Sequence, residues 1–317
     1  MRVRFWGTRG SIPVALTSVD IRRKVETALS MAIAKGVNTV DKLRAFIDHD
    51  LDFSVSQTYG GQSPCVEIET GSKEYLVCDM GSGARAFGGR IMSQDSGPIV
   101  VNVIMSHVHW DHIMGFPFFA PAYVPGTRIR IFGCHDVIEK AFRLQQAAPC
   151  FPVDFSRLSA DIEFVKLEAG RSTEIAGYHV TPKLQRHTGD SYGYRFERDG
   201  KAIVYSTDSE HKLEDPGETE SFVAFFRNAD LVIFDAMYSL LDAVSVKEDW
   251  GHSSNMVGVE LAQLANVKHL CMFHHEPSFN DERIQSVLEE TIRFEKLTRT
   301  GRPLRVTAAY DGMELDV

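Results

Sequence analysis

The 317-residue sequence is short of cysteine, and its five (Cys65, Cys78, Cys134, Cys150, Cys271) are odd in number, scattered and never spaced as CxxC. A disulfide framework and a zinc ribbon are both disfavoured on that ground. No apolar run approaches the ~20 residues of a membrane span. The opening MRVRFWGTRGSIP has arginines and a glycine-rich turn where a signal peptide carries an apolar stretch. The expectation is a cytoplasmic protein with no membrane partner. Basic excess is missing too: 34 Lys and Arg face 43 Asp and Glu, a net charge of -9. Long nucleic acids meet basic faces, because Lys and Arg displace the counterions on phosphate, so a large RNA partner is disfavoured. With 44% hydrophobic and 24% charged residues, disordered, collagenous and coiled-coil classes are excluded.

What is present is an alternation of β and helical patterns. Residues 2–6 read as a strand ending in the GTRG turn. Then Ile21, Val25, Leu29 and Ile33 recur at helical spacing, with Gly36 where a C-terminal glycine belongs, and Val40, Leu43 and Ile47 mark a second helix. This is a helical hairpin inserted at about 15–55, whose apolar stripes are expected to pack on the core. It leaves the first strand, so a lid or a homodimer contact is the use expected of it.

Strands are predicted at 64–69, 74–79, 99–105, 128–133, 162–167, 178–184, 192–197, 202–206, 230–235, 268–273 and 304–309. Helices are predicted at 135–147, 253–265 and 281–298. Long β stretches punctuated by helices suggest two packed sheets with helices outside, an α/β (α+β) fold in one domain.

The strongest chemical signal is HVHWDH at residues 107–112, directly after the apolar run VVNVIM. Three imidazoles and a carboxylate in six residues at a strand end form a metal-ligand cluster. His107 and His109, two apart on extended chain, can clamp one ion, and Asp111 and His112 can face a second. Nitrogen and oxygen donors without thiolate suit zinc first, with manganese or iron as alternatives.

HVHWDH resembles the HxHxDH signature of the metallo-β-lactamase superfamily. So do CDMGSG at 78–83, which is similar to the strand-turn segment before that signature, and the order of His187 in RHTGDSYGYRF, Asp208 in YSTDS and His274 in LCMFHHEP. The resemblance implies a four-layer αββα sandwich with a two-metal site at one edge. It implies that His107, His109 and His187 hold one metal, that Asp111, His112 and His274 hold the other, and that Asp208 bridges them. Two such cations lower the pKa of a shared water and stabilise oxygens during displacement at phosphorus. His275 adjoins His274, and the family pattern favours His274 as the ligand.

Several segments resemble the phosphodiesterase branch, which holds tRNase Z and cyclic-nucleotide phosphodiesterases: FWGTRGSIP, TYGGQSPCVEI and the HTGDSYGYRF stretch. GHSS at 251–254 resembles the tRNase Z segment whose histidine acts beside the metals, which casts His252 as a general acid. Its acidic partner would be Asp235 in FDAMY, where that family has glutamate. No long Gly/Lys-rich arm of the tRNase Z kind is seen. The reading is a di-metal phosphodiesterase cleaving a small phosphodiester such as a cyclic nucleotide. The alternatives are an acyl, thioester or lactone hydrolase on the same fold, or a tRNase Z-like ribonuclease. Arg9 and Arg85, in Gly-rich turns, offer phosphate contacts without an assigned role. Trp110 and the aromatics of FPFF are pocket wall or base platform.

Overall fold

A computed structural model describes residues 1–94, 99–211, 215–238 and 251–317. Fourteen strands among these residues form two seven-stranded mixed sheets. In the first sheet, β1 (Arg2–Gly7) lies between β14 (Glu314–Asp316) and β2 (Cys65–Ile68). Beyond β2 follow β3 (Glu74–Cys78), β4 (Val100–Ile104), β5 (Arg128–Gly133) and β6 (Asp161–Lys166). The second sheet runs β13 (Arg305–Ala308), β12 (His269–Phe273), β11 (Leu231–Asp235), β10 (Lys201–Ser206), β9 (Ser191–Arg198), β8 (Tyr178–Gln185), β7 (Thr173–Ile175). Strands β3 to β6 are mutually parallel, and so are β10 to β13.

The layering follows from strands that are apolar on both faces. In β12, Cys271 and Phe273 enter the core between the sheets, whereas Leu270 and Met272 face the helices outside. In β10, Ile203 and Tyr205 point inward and Ala202 and Val204 outward. Successive side chains of a strand alternate faces, so a continuous apolar run marks a strand buried on both sides. The outer face of the second sheet is covered by α7 (Pro216–Phe226), α8 (Asn255–Leu264) and α9 (Asp281–Thr298). The outer face of the first is covered by α4 (Ala84–Gln94) and α6 (Ile138–Gln145). The result is the expected αββα sandwich.

Two helices of 11 residues each escaped the sequence reading. Helix α4 carries Gly88 and Gly89, poor helix formers, yet a Cβ at Gly88 would stand 2.8 Å from the Phe119 ring, so packing decides that residue. Helix α7 begins with Pro216 and is capped by Asp215, which accepts from Gly217 N and Glu218 N, a start signal present in the sequence.

The insert comprises α1 (Ser18–Ala34), α2 (Val40–His49) and the single turn α3 (Phe53–Ser56). Thr17 and Asp20 form a capping box at the start of α1, and Gly36 takes φ 63 just beyond its end. One expectation fails here. The apolar stripes do not pack on the core: Ile21, Val25, Leu29 and Ile33 on α1 and Val40, Leu43 and Ile47 on α2 are all exposed. The physical reason is that α1 is tied down through polar residues. Buried Lys24 meets Asp281 at 2.7 Å and donates to the carbonyls of Ser54 and Gln57. No helix among the described residues is long and apolar enough to cross a membrane.

Candidate metal centre

Six strands deliver the site to one edge of the sandwich. Just past β3 lies Asp79, past β4 the 107–112 segment, past β8 His187, past β10 Asp208, past β11 Asp235 (its last residue) and past β12 His274. Three of these turn sharply as the strand ends: Asp79, Asp208 and His274 have φ of 58°, 41° and 59°. Left-handed backbone costs an L-residue roughly 1–2 kcal/mol, so surrounding contacts must enforce it. At His274 they are visible. His275 N donates to Thr8 O, and Gly10 N donates to His275 O. Gly10 passes so close that a Cβ there would be 2.8 Å from the His274 ring.

The short helix α5 (Trp110–Ile113) turns Asp111 and His112 inward, while Trp110 stays 67% exposed. All seven residues singled out in the sequence as ligands come together, in two groups. One is His107, His109 and His187; the other is Asp111, His112, Asp208 and His274. Asp208 stands between them. Its Oδ2 lies 3.7 Å from His107 Nε2 and 3.8 Å from His187 Nε2, and its Oδ1 lies 3.2 Å from His112 Nε2 and 3.3 Å from His274 Nε2. Asp111 Oδ2 is 3.3 Å from His112 Nε2 and 3.4 Å from His274 Nε2, and His187 Nε2 is 3.1 Å from His109 Nδ1.

These separations match ligand atoms around a shared cation. Tetrahedral ligands at 2.0–2.1 Å from zinc stand about 3.3 Å from one another. The buried nitrogens His107 Nε2 and His112 Nε2 have no hydrogen-bond partner, which is costly unless something else fills their lone pairs. The donor set therefore fits a dinuclear metal-binding cluster.

The outer bonds of the imidazoles set their tautomers. Asp79 accepts from Ser106 N (2.8 Å), Ser106 Oγ (2.7 Å), Tyr205 Oη (2.7 Å) and His112 Nδ1 (2.8 Å). His112 thus carries its proton on Nδ1 and turns the Nε2 lone pair to the cluster. Ser106 Oγ, with its own hydrogen given to Asp79, accepts from His107 Nδ1 at 3.0 Å, and Gly251 O accepts from His187 Nδ1 at 2.8 Å. His275 donates Nε2–H to Ala309 O instead, and it is His274 that faces the cluster. Asp79 was not singled out in the sequence. Its signal was the CDMGSG segment that contains it.

Burial works to raise the carboxyls of Asp111 and Asp208, but the surrounding imidazoles hold both well below the usual range. Burial first, and then the charges of neighbouring imidazoles, push His107, His109 and His187 down. The first group is thus three neutral imidazoles. At the second, burial is outweighed by Asp208, Asp111 and Asp79, which hold His112 well above the usual imidazole range and mark a place where positive charge is favoured.

Beside it stands a second pair. His252 Nδ1 lies 2.8 Å from Asp235 Oδ2, and Asp235 also accepts from Ser209 N and Met237 N, both at 3.1 Å. The His252 ring stacks on His274 at 5.2 Å between centroids and meets the His187 ring edge-on at 5.1 Å. Burial acts to lower the His252 pKa, but the charge and hydrogen bond of Asp235, with Asp208 and Asp111 beyond, outweigh it and push it up to about 9. Aspartate therefore reaches this histidine without the longer glutamate.

Arg9 offers no phosphate contact. It is buried and donates to the carbonyls of Gly60, Glu276 and Phe279. In FPFF, Phe116 and Phe119 are core and Phe118 is exposed.

An αββα sandwich with a dinuclear cluster at the strand ends defines a metal-dependent hydrolase. The chain belongs to the β-lactamase superfamily: residues 77–275 match its family model, described as "Beta-lactamase superfamily domain". Among curated relatives it is similar to ribonuclease Z of Oceanobacillus iheyensis, 21% identical over 241 residues, covering 60% of this chain and 76% of the relative. Among solved structures it resembles the metallo-beta-lactamase fold protein YhfI from Bacillus subtilis (TM-score 0.65, 17% identity, 99% of each chain). A diphosphatase from the PhnP family is also similar (TM-score 0.61, 17% identity, 100% of this chain and 97% of that one). The helical insert lies outside the matched family residues.

Proposed function

We propose that the protein is a di-metal phosphodiesterase acting on a small phosphodiester, with a cyclic nucleotide as the first substrate to test. The observation that carries this reading is the Asp235–His252 pair set against the cluster. The thiolate of a thioester leaves with little help from such an acid, whereas a ribose alkoxide leaving phosphorus needs a proton. The curated relatives named ribonuclease Z support cleavage at phosphorus. The net charge of -9 weighs against a long RNA.

His107, His109 and His187 would hold one cation and Asp111, His112 and His274 the other, with Asp208 between. When bound, the cations supply Lewis acidity toward water and the phosphoryl oxygens. The chain's own contribution is orientation and a proton. Asp79, Ser106 and Gly251 keep three imidazoles turned inward. Asp235 holds His252 by Nδ1, so Nε2–H is the proton available to the departing alkoxide. That hydrogen returns to solvent on the product alcohol, and His252 is reprotonated for the next turnover.

Metal analysis of the purified protein, with bis(p-nitrophenyl) phosphate turnover before and after chelation, tests the reading. About two divalent ions per chain and chelator-sensitive turnover are the expected result. Metal without phosphodiester cleavage, but with cleavage of thioesters or lactones, would overturn it.

A further inference from the structure

The insert shows solvent the face that a helix normally buries. Of the eighteen exposed large apolar side chains among the described residues, ten fall between Ile12 and Ile47, so the exposure is concentrated and not scattered. On α1, Val25 is 51% exposed, Leu29 57% and Ile33 81%. A surface helix ordinarily turns its apolar stripe to the core and its charges to water. Helix α1 instead leaves its apolar stripe in water alongside Arg22 and Glu26. Lys24 is buried against Asp281, Ser54 and Gln57, and Arg23 reaches Glu282 at 3.2 Å. Polar bonds anchor the helix, and the apolar ridge is left without a partner among the described residues.

The ridge has a defined form. Ile21, Val25, Leu29 and Ile33 step by four residues, and an i±4 ridge packs best into the grooves beside another i±4 ridge, crossing at about -50°. An identical ridge on a second copy, related by a two-fold axis, meets that requirement on both sides at once. Val40, Leu43 and Ile47 on α2 are exposed as well, at 65%, 41% and 42%.

Charge selects the same occupant. Residues 18–56 hold six acidic and six basic side chains. A lipid surface or a nucleic acid would call for a basic excess, whereas a balanced mixture complements a copy of itself. We propose that this protein forms a two-fold homodimer through the outward ridge of α1.

Sedimentation velocity of the full chain, run at increasing concentration, tests this. Twice the 35.5 kDa chain mass is expected for the unaltered protein. Leu29→Glu/Ile33→Glu, at exposed positions, should weaken association by more than 100-fold and sediment as a monomer. The milder Leu29→Ser/Ile33→Ser should fall between, with far-UV circular dichroism unchanged in both. Leu264→Glu/Leu297→Glu, equally exposed on α8 and α9, should leave the dimer intact. An unaltered protein that stays monomeric, or a dimer that survives the Leu29/Ile33 changes, would overturn the proposal. So would a monomer that instead co-sediments with phosphatidylcholine or phosphatidylserine vesicles.

Discussion

Replacing His252 by alanine separates proton donation from metal chemistry, because the two respond differently to the leaving group. Nδ1 sits 2.8 Å from Asp235 Oδ2, a geometry that orients the ring and stabilises its protonated form. A positioned general acid contributes about 10²–10⁴ in rate, or roughly 3–5 kcal/mol of barrier. That help is needed when an alkoxide departs and is nearly superfluous when p-nitrophenolate does. His252→Ala should therefore lower kcat on a 2′,3′- or 3′,5′-cyclic nucleotide by about 10²–10⁴, but on bis(p-nitrophenyl) phosphate by less than about tenfold. Steady-state kinetics on both substrates, at matched metal content, reads the difference. Equal losses on both would refute the proton-donor role and leave His252 as a support for the rings of His187 and His274, which it touches.

Other outcomes follow from the same contacts. Asp79→Asn replaces an acceptor of four hydrogen bonds. Losing the partner that orients a ligating histidine should weaken metal binding about 10–100-fold, measured by competition with a chelating dye. Gly251→Ala adds a Cβ 2.5 Å from His187 Nδ1 at a residue with φ of 81°. It should reduce bound metal from two ions toward one per chain, counted by plasma mass spectrometry after dialysis, with the Asp111 group spared. For pH, His269 is buried and its pKa is lowered to about 4, by burial and then by Arg305. The unfolded chain takes up that proton near pH 6.5 and the folded chain does not, so stability is lost as pH falls. Between pH 7 and 4.5 the loss from this residue should be about 2 kcal/mol. His269→Gln should show a correspondingly smaller shift in urea midpoint over that interval.

Much of this protein was legible in one dimension. The strands that are apolar on both faces announced layers on either side of each sheet, because alternation sends half of every such run outward to a helix. HVHWDH announced a metal cluster, because that density of imidazole and carboxylate at a strand end has few other uses. The later ligands were placed by resemblance, since His187, Asp208 and His274 lie 80 to 167 residues from His107 and no local pattern joins them.

Tertiary structure alone decided three things. It gave Asp79 its place, since a carboxylate that collects hydrogen bonds from Ser106 just past β4, from Tyr205 on β10 and from His112 has meaning only when the two sheets are packed face to face. It separated His274 from His275, because a left-handed residue at the end of β12 sends one ring to the cluster and the other to Ala309. And it reversed the reading of the insert. Helical periodicity shows that a stripe exists, but not which way it faces, and the buried contacts of Lys24 turn that of α1 to solvent.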